Sequence, residues 1–196
     1  MATRRLVLQE FVSLDGLAAG PNDSVDFIPA STQGDATFGH EQVALMDTVD
    51  TLVLGRRTYE MFAGFWPNVT AGPEKEFAGK WNALQKVVFS TTLKRAPWGS
   101  WGEATILHGD LAEGIAKLRQ KPGKDILVSG SISLAQALIQ ANLVDVYRLV
   151  LCPTTLGAGR RLFPGGVPDV LTLRSANTMD RGAVSLIYDI IRPAKK

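Results

Sequence analysis

The chain reads as an α/β protein built on one mixed, mostly parallel sheet with an antiparallel edge at its C-terminal end. Three observations predict this. Short apolar runs rich in β-branched residues alternate with helix-length segments through most of the chain, the pattern of strands joined by helical crossovers and hence of parallel pairing. The last two apolar runs are separated only by MDRG, a turn-like tetrapeptide, which is the pattern of a hairpin. A length of 196 residues with 45% hydrophobic and 20% charged content suffices for one substantial core and falls short of two. Residues 1–196 are therefore taken as a single domain.

Taken in order, the strand candidates are RRLVLQEFV (4–12), TLVLG (51–55), KVVFS (86–90), ATIL (104–107), DILVSG (125–130) and VDVYRLVLC (144–152). VLTLRSANT (170–178) and AVSLIYDII (183–191) form the terminal pair. Each is short and bounded by Gly, Pro, Ser or a charged residue, as strands are. Helix-like segments fall between them at 38–49, 56–63, 74–84, 111–120 and 131–141. In SISLAQALIQANLV, Leu134, Leu138 and Ile139 share one face, and Ser131 or Ser133 is placed to cap the start. The segment from Leu14 to Thr37, rich in Gly, Pro, Asp and Ser, reads as a long loop, and a loop of that length in a compact domain is usually functional.

Composition excludes several classes. Lys and Arg number 21 against 19 Asp and Glu, for a net charge of +2, and the only like-charge tail is Lys195-Lys196. A nucleic-acid surface needs a concentrated basic patch, so none is expected. The one cysteine, Cys152, lies inside LVLCP, has no partner for an internal disulfide and reads as a small packed hydrophobe in a reducing compartment. The apolar stretch near the N-terminus is interrupted by Gln9 and Glu10, and no run approaches membrane-spanning length. A cytoplasmic protein without a membrane partner is expected. His40 and His108 have no ligand spacing with a Cys or a second His, so no metal site is expected.

In open α/β sheets ligands bind beyond the carboxyl ends of the strands, and three of those ends carry chemically similar segments here. TLVL runs into GRRT, KVVF into STTLKR, and DILV into SGSIS. These residues are small, hydroxyl-bearing or cationic, as a polyanion near helix N-termini requires. Gly130 lets the backbone approach a diphosphate, while Arg56, Arg57, Ser90 and Thr91 suit a further phosphate. Taken alone, Gly55 or Gly130 is more often only a turn and Arg56 or Arg57 more often a solvated charge, while Ser90 and Thr91 read equally well as an ordinary turn. The dinucleotide fingerprint G-x-G-x-x-G is missing, since GAGRRL at 157–162 lacks its last glycine, and the phosphate-loop pattern fails because Glu74 stands where its first glycine belongs.

FVSLDGLAAGPND, TLVLGRRTYEMF, KVVFSTTL and ILVSGSISLAQALIQANLVDVYRLVLCPTTLGAGRRLFP together resemble the dihydrofolate-reductase-like superfamily. They are most similar to bacterial proteins related to the reductase domain of riboflavin biosynthesis. The likeness runs in order from Arg4 to Ile191. It implies a three-layer α/β/α fold and NADPH as cofactor. On this resemblance Arg56, beside Arg57 and after Gly55, meets the 2′-phosphate together with Ser90 and Thr91, and Thr58 lies near the diphosphate and ribose. Ser129, Gly130, Ser131 and Ile132 form the turn on the diphosphate and nicotinamide side, with Gly130-Ser131 standing where the family has two glycines. Asp15, Ala18 and Gly20 line the region of hydride transfer.

The substrate side is less defined. The carboxylate that fixes a pterin in dihydrofolate reductases has no clear counterpart, with Asp35 and Glu41 near the expected place. Gln9 and Glu10 interrupt an apolar strand, and since a buried unpaired carboxyl is costly, one of them faces the pocket unless Glu10 ends the strand in solvent. Proton transfer to the product falls first on Asp15 and second on Glu41. Phe27 and Trp66 are candidates to stack on a planar substrate, against a plain packing role. The resemblance thus implies a reductase of the 5-amino-6-(5-phosphoribosylamino)uracil type acting on a small heterocycle, and a homodimer. The CPTTLGAGRRLFPG loop is a candidate for the dimer edge. A nucleotide-binding protein without turnover and dihydrofolate reductase itself are the alternatives.

Overall fold

The computed structural model describes residues 3–165 and 170–192; the Lys195-Lys196 pair lies outside them. Strands are β1 (Leu6–Ser13), β2 (Leu17–Ala19), β3 (Val49–Gly55), β4 (Gln85–Phe89), β5 (Thr105–Leu107), β6 (Asp125–Val128), β7 (Val146–Cys152), β8 (Arg160–Arg161), β9 (Val170–Thr178) and β10 (Val184–Ile191). Helices are α1 (Phe27–Thr32), α2 (Ala36–Met46), α3 (Arg56–Phe65), α4 (Lys75–Ala83), α5 (Leu111–Gln120) and α6 (Ile132–Gln140).

The main sheet has the order β5-β4-β3-β6-β1-β7-β10-β9. The pairs from β5 through to β7 are parallel, and β10 runs antiparallel to both β7 and β9. The expected mixed sheet with its antiparallel C-terminal edge is therefore present. Strands buried on both faces are nearly all apolar, as parallel strands covered by helices must be. α5 and α6 cover one face, where Ile115, Leu118, Leu134, Ala135 and Leu138 meet Leu6, Leu8, Val53, Val87 and Val128. α2, α3 and α4 cover the other, where Leu45, Met46, Tyr59 and Trp81 meet Val7, Leu52, Leu54 and Val88. This is the three-layer α/β/α arrangement.

Several boundaries move for tertiary reasons. The helix expected at 38–49 begins two residues earlier because Asp35 caps it, accepting from the Phe38 amide at 2.8 Å. It ends at Met46 because Val49 pairs with Asp125 in the sheet and Asp50 binds the buried Arg4. Ser131 stands at the N-cap of α6, but its hydroxyl makes no capping bond and lies 3.1 Å from that of Ser133. The loop expected over 14–37 holds β2 and α1, and β2 pairs with β8 in a separate two-stranded sheet. That pairing depends on Gly159, because a Cβ there would stand 2.0 Å from the Ala19 carbonyl oxygen.

Candidate functional site

Parallel pairing brings the carboxyl ends of β4, β3 and β6 to one edge, and a cleft of about 450 Å³ opens there. Gly55, Arg56 and Arg57 line it from the β3–α3 junction, Ser90, Thr91 and Thr92 from the end of β4, and Ser131 and Ser133 from the start of α6. Phe89, Leu107, Leu111 and Leu134 supply its apolar part, with Gly109 beside them. The structure thus gathers in one place six candidate ligand-binding residues from separate motifs: Gly55, Arg56, Arg57, Ser90, Thr91 and Ser131. Thr92, Gly109 and Ser133 join them, although sequence reasoning assigns none of the three to a ligand. Thr92 continues the same hydroxyl run, and Gly109 lies beyond a strand end whose loop carries no cation or hydroxyl to mark it.

Both guanidiniums are exposed and loosely engaged. Arg56 pairs with Glu60 one helical turn on, at 2.9 Å, and Arg57 pairs with Asp23 at 2.9 Å. Asp23 also accepts from Arg160 at 3.2 Å, so it ties the 21–23 turn to α3 and β8. Exposed pairs of this kind are worth about 0–1 kcal/mol, so an entering phosphate can take either guanidinium at little cost. The Ser90 hydroxyl accepts from the Thr92 and Leu93 amides at 3.2 and 3.0 Å, which shapes the turn at the end of β4.

Where β3 and β6 end, two backbones touch. The Gly55 amide donates to the Gly130 carbonyl at 3.0 Å. A Cβ on Gly55 would lie 2.3 Å from the Ser131 hydroxyl, and one on Gly130, whose φ is +75°, would lie 2.8 Å from the Thr58 hydroxyl. Thr58, Gly130 and Ser131 are thereby packed into one junction, with the Gly130–Ser131 peptide cis. Ser129 still donates to Val53 at 3.4 Å, and Ile132 packs against the core, so these two support the turn from behind.

Directly under this junction lies Glu10. Leu6, Leu8 and Val12 of β1 belong to the core on the α5–α6 face, and strand alternation turns Glu10 the same way. It is mid-strand and 9% exposed, which removes the solvent-facing reading. One carboxyl oxygen has no hydrogen-bond partner among the described residues, and the nearby Gly130 amide favours the ionised form. Burial pushes its pKa up to about 8, against the lowering effect of that amide, so at neutral pH it is an uncharged acid. Gln9 points to the opposite face, where it bonds Gln42 at 2.9 Å and Arg148 at 3.0 Å.

The expected proton donors stand differently. Asp15 accepts from the Ser13 hydroxyl at 2.5 Å, the Gly157 amide at 2.7 Å and the Leu156 amide at 3.2 Å. With the Ser13 bond first and the two amides next, its carboxyl is held down to about 2. An acid kept ionised has no proton to give near neutrality, and Asp15 acts as a clasp between the β1–β2 turn and the 154–157 loop. Ala18 and Gly20 lie on β2 and just beyond it, both buried, with the Gly20 amide bonded to Ser24 at 2.8 Å. Glu41 is not brought to the cleft. It lies on the α2 face, bound by Arg148 and Asn177, each at 2.9 Å.

The aromatic candidates also fall elsewhere. Phe27 is buried among Val150, Cys152, Met179 and Ala183. Trp66 packs against Phe62, Phe65, Phe77 and Trp81 in an aromatic cluster between α3 and α4. Asp35 spends its carboxylate on the α2 cap and the Arg181 amide. Among the described residues no group of three His, Cys, Asp or Glu side chains is placed to hold a metal ion, and no helix is long and apolar enough to cross a membrane.

Residues 4–185 match the family model described as the RibD C-terminal domain. The chain is 31% identical over 189 residues to the uncharacterised protein YyaP of Bacillus subtilis (strain 168), covering 94% of each. A pyrimidine reductase-like protein from Corynebacterium diphtheriae superposes with a TM-score of 0.71 at 16% identity, over 97% of this chain and 93% of that one. Dihydrofolate reductase from Enterococcus faecalis, solved with NADP(H), superposes with a TM-score of 0.56 at 14% identity, over 96% and 97%. At such identities these structures establish the dihydrofolate-reductase-like fold and nothing finer.

Proposed function

Because the chain belongs to the RibD C-terminal domain family, a reductase-like family of the riboflavin pathway, we propose that it is an NADPH-dependent reductase. Its substrate is a small heterocycle of the pyrimidine or pterin type. The observation that carries this reading is the convergence of Arg56, Arg57, Ser90, Thr91 and Ser131 on one cleft at the carboxyl edge of the sheet. Guanidiniums and hydroxyls on one wall suit a 2′-phosphate, and the apolar part formed by Phe89, Leu107, Leu111 and Leu134 suits a flat ring. The junction at Gly55 and Gly130 leaves backbone without side chains where a diphosphate would approach.

When bound, NADPH supplies the hydride, and the protein's part is to hold it and exclude competing chemistry. In this reading Arg56 and Arg57 release Glu60 and Asp23 to take the 2′-phosphate. Thr58 and Ser131 offer hydroxyls beside the diphosphate. The Asp15 clasp holds the 13–20 segment over the nicotinamide end. Dihydrofolate is disfavoured because Asp35 and Glu41, the carboxylates near the expected pterin anchor, are both bound by other groups.

Fluorescence titration of NADPH against NADH, with Arg56→Ala beside the parent, tests the reading. A charge-assisted contact of about 1.5–3 kcal/mol predicts that the parent prefers NADPH by roughly 10- to 150-fold and that the variant loses most of that preference. Equal losses for both cofactors would contradict the assignment of Arg56. If neither cofactor binds, the strand-end motifs are only turns. Binding without oxidation across pterin, pyrimidine and flavin-precursor substrates would leave a non-catalytic nucleotide-binding protein.

A further inference from the structure

We infer that Glu10 is a positioning residue for the cofactor turn, and that the cleft accepts an anionic cofactor only while the Glu10 carboxyl carries its proton. This rests on the NADPH reading above and concerns a group that reading does not use. The motive is geometric. Glu10 is buried beneath the Gly130–Ser131 turn with one oxygen unpartnered. The Gly130 carbonyl receives the Gly55 amide at 3.0 Å, and Arg56 comes directly after Gly55. This one buried carboxyl thus lies behind the contact between the two backbone segments that form the edge of the cleft.

Among the described residues of the elements around it, no cation is placed to neutralise the carboxyl if it ionises. α6 and β2 carry no ionisable side chain. On β6 the only charged residue is Asp125, at the far end of the strand and paired with Arg5. On β7, Tyr147 shares the face of Glu10, while Arg148 turns to the opposite face and pairs with Glu41. On β8, Arg160 is paired with Asp23, and Arg161 is exposed near Gly16. Burial and the Gly130 amide are accordingly the influences on its titration, which is centred near pH 8. Above that pH a negative charge appears behind the turn that receives a polyanion, in surroundings where like charges repel strongly. Binding and protonation are then linked, each favouring the other.

The test titrates the parent and Glu10→Gln with NADPH from pH 7 to 9, and measures binding enthalpy at pH 8 in two buffers of different ionisation enthalpy. The parent is expected to weaken about tenfold across that range and to take up about half a proton at pH 8. Glu10→Gln is expected to change less than about twofold. Lys86 also titrates near pH 8, but it faces Trp98 on the other side of the sheet and is present in both proteins, so the difference isolates Glu10. Equal pH slopes in the two proteins, or no proton uptake by the parent, would overturn the inference. If Glu10→Gln does not fold, proton uptake by the parent decides alone. If NADPH binds at no pH, the cofactor reading itself fails and takes this inference with it.

Discussion

Glu10→Gln should also change how the ligand-free fold responds to pH, in a direction and size set by the position of the side chain. The acid titrates near pH 8 in the fold, against 4.5 for an ordinary glutamate. Between those values the folded chain keeps a proton that the unfolded chain has released. Its contribution to stability is complete below pH 4.5 and is lost as pH rises towards and through 8. Integrated from pH 5 to pH 8, the loss is about 3 to 4 kcal/mol. Glutamine keeps the shape, but it cannot ionise. Its own N–H groups find no partner there, at a cost of about 1–3 kcal/mol at every pH. The variant is therefore expected to be the less stable protein at pH 5 and the more stable one at pH 8. Urea unfolding at pH 5, 6.5 and 8 measures this, and with a slope of about 2–3 kcal/mol per molar the midpoint difference should move by about 1 M or more. A constant offset over the whole range would contradict this, since it would mean that water or a counter-charge reaches the carboxyl.

Two further outcomes concern groups outside the cleft. Lys86 is 6% exposed, donates to the Asn82 carbonyl and sits 5.0 Å from the centre of the Trp98 ring; burial pushes its pKa down from 10.5 to about 8. The charged amine therefore costs about 3 kcal/mol at pH 7, and Lys86→Met should raise stability there by about 2 kcal/mol once the lost contacts are counted. The gain should fade between pH 8 and 10.5, where the unfolded chain gives up its proton; a lower melting temperature at pH 7 would show that the contacts of the cation outweigh its burial. Asp15→Ala should increase hydrogen exchange at the Leu156 and Gly157 amides while leaving the β1 core amides protected, and unchanged exchange at those two positions would remove the clasp.

Much of the architecture was legible because it rests on short-range pattern. Alternating apolar runs and helical segments marked the parallel part of the sheet, and MDRG marked the hairpin that Met179 and Ala183 close at 2.8 Å. The strand-end motifs were legible for a related reason. Once strands are parallel, the residues after Gly55 and Phe89 and those opening α6 must arrive at the same edge, whatever lies between them in the chain. The 14–37 segment was not legible, because β2 finds its partner in Arg160–Arg161, far along the chain. Asp15 shows the same limit: two of its donors lie 141 and 142 residues away, and no local signal distinguishes an acid held by distant amides from one free to transfer a proton. Phe27 and Trp66 were ambiguous because an aromatic ring serves a core and a binding pocket by the same apolar surface.

Periodicity and strand direction alone dictate the mixed, mostly parallel sheet and the edge at which its cations and hydroxyls meet. Which acids keep a proton follows from the folded chain alone. Asp15 and Glu10 stand five residues apart, yet one is held near 2 by a hydroxyl and two amides and the other near 8 by burial. The difference lies in what the folded chain brings up to each carboxyl, and that is set by neighbours remote in sequence.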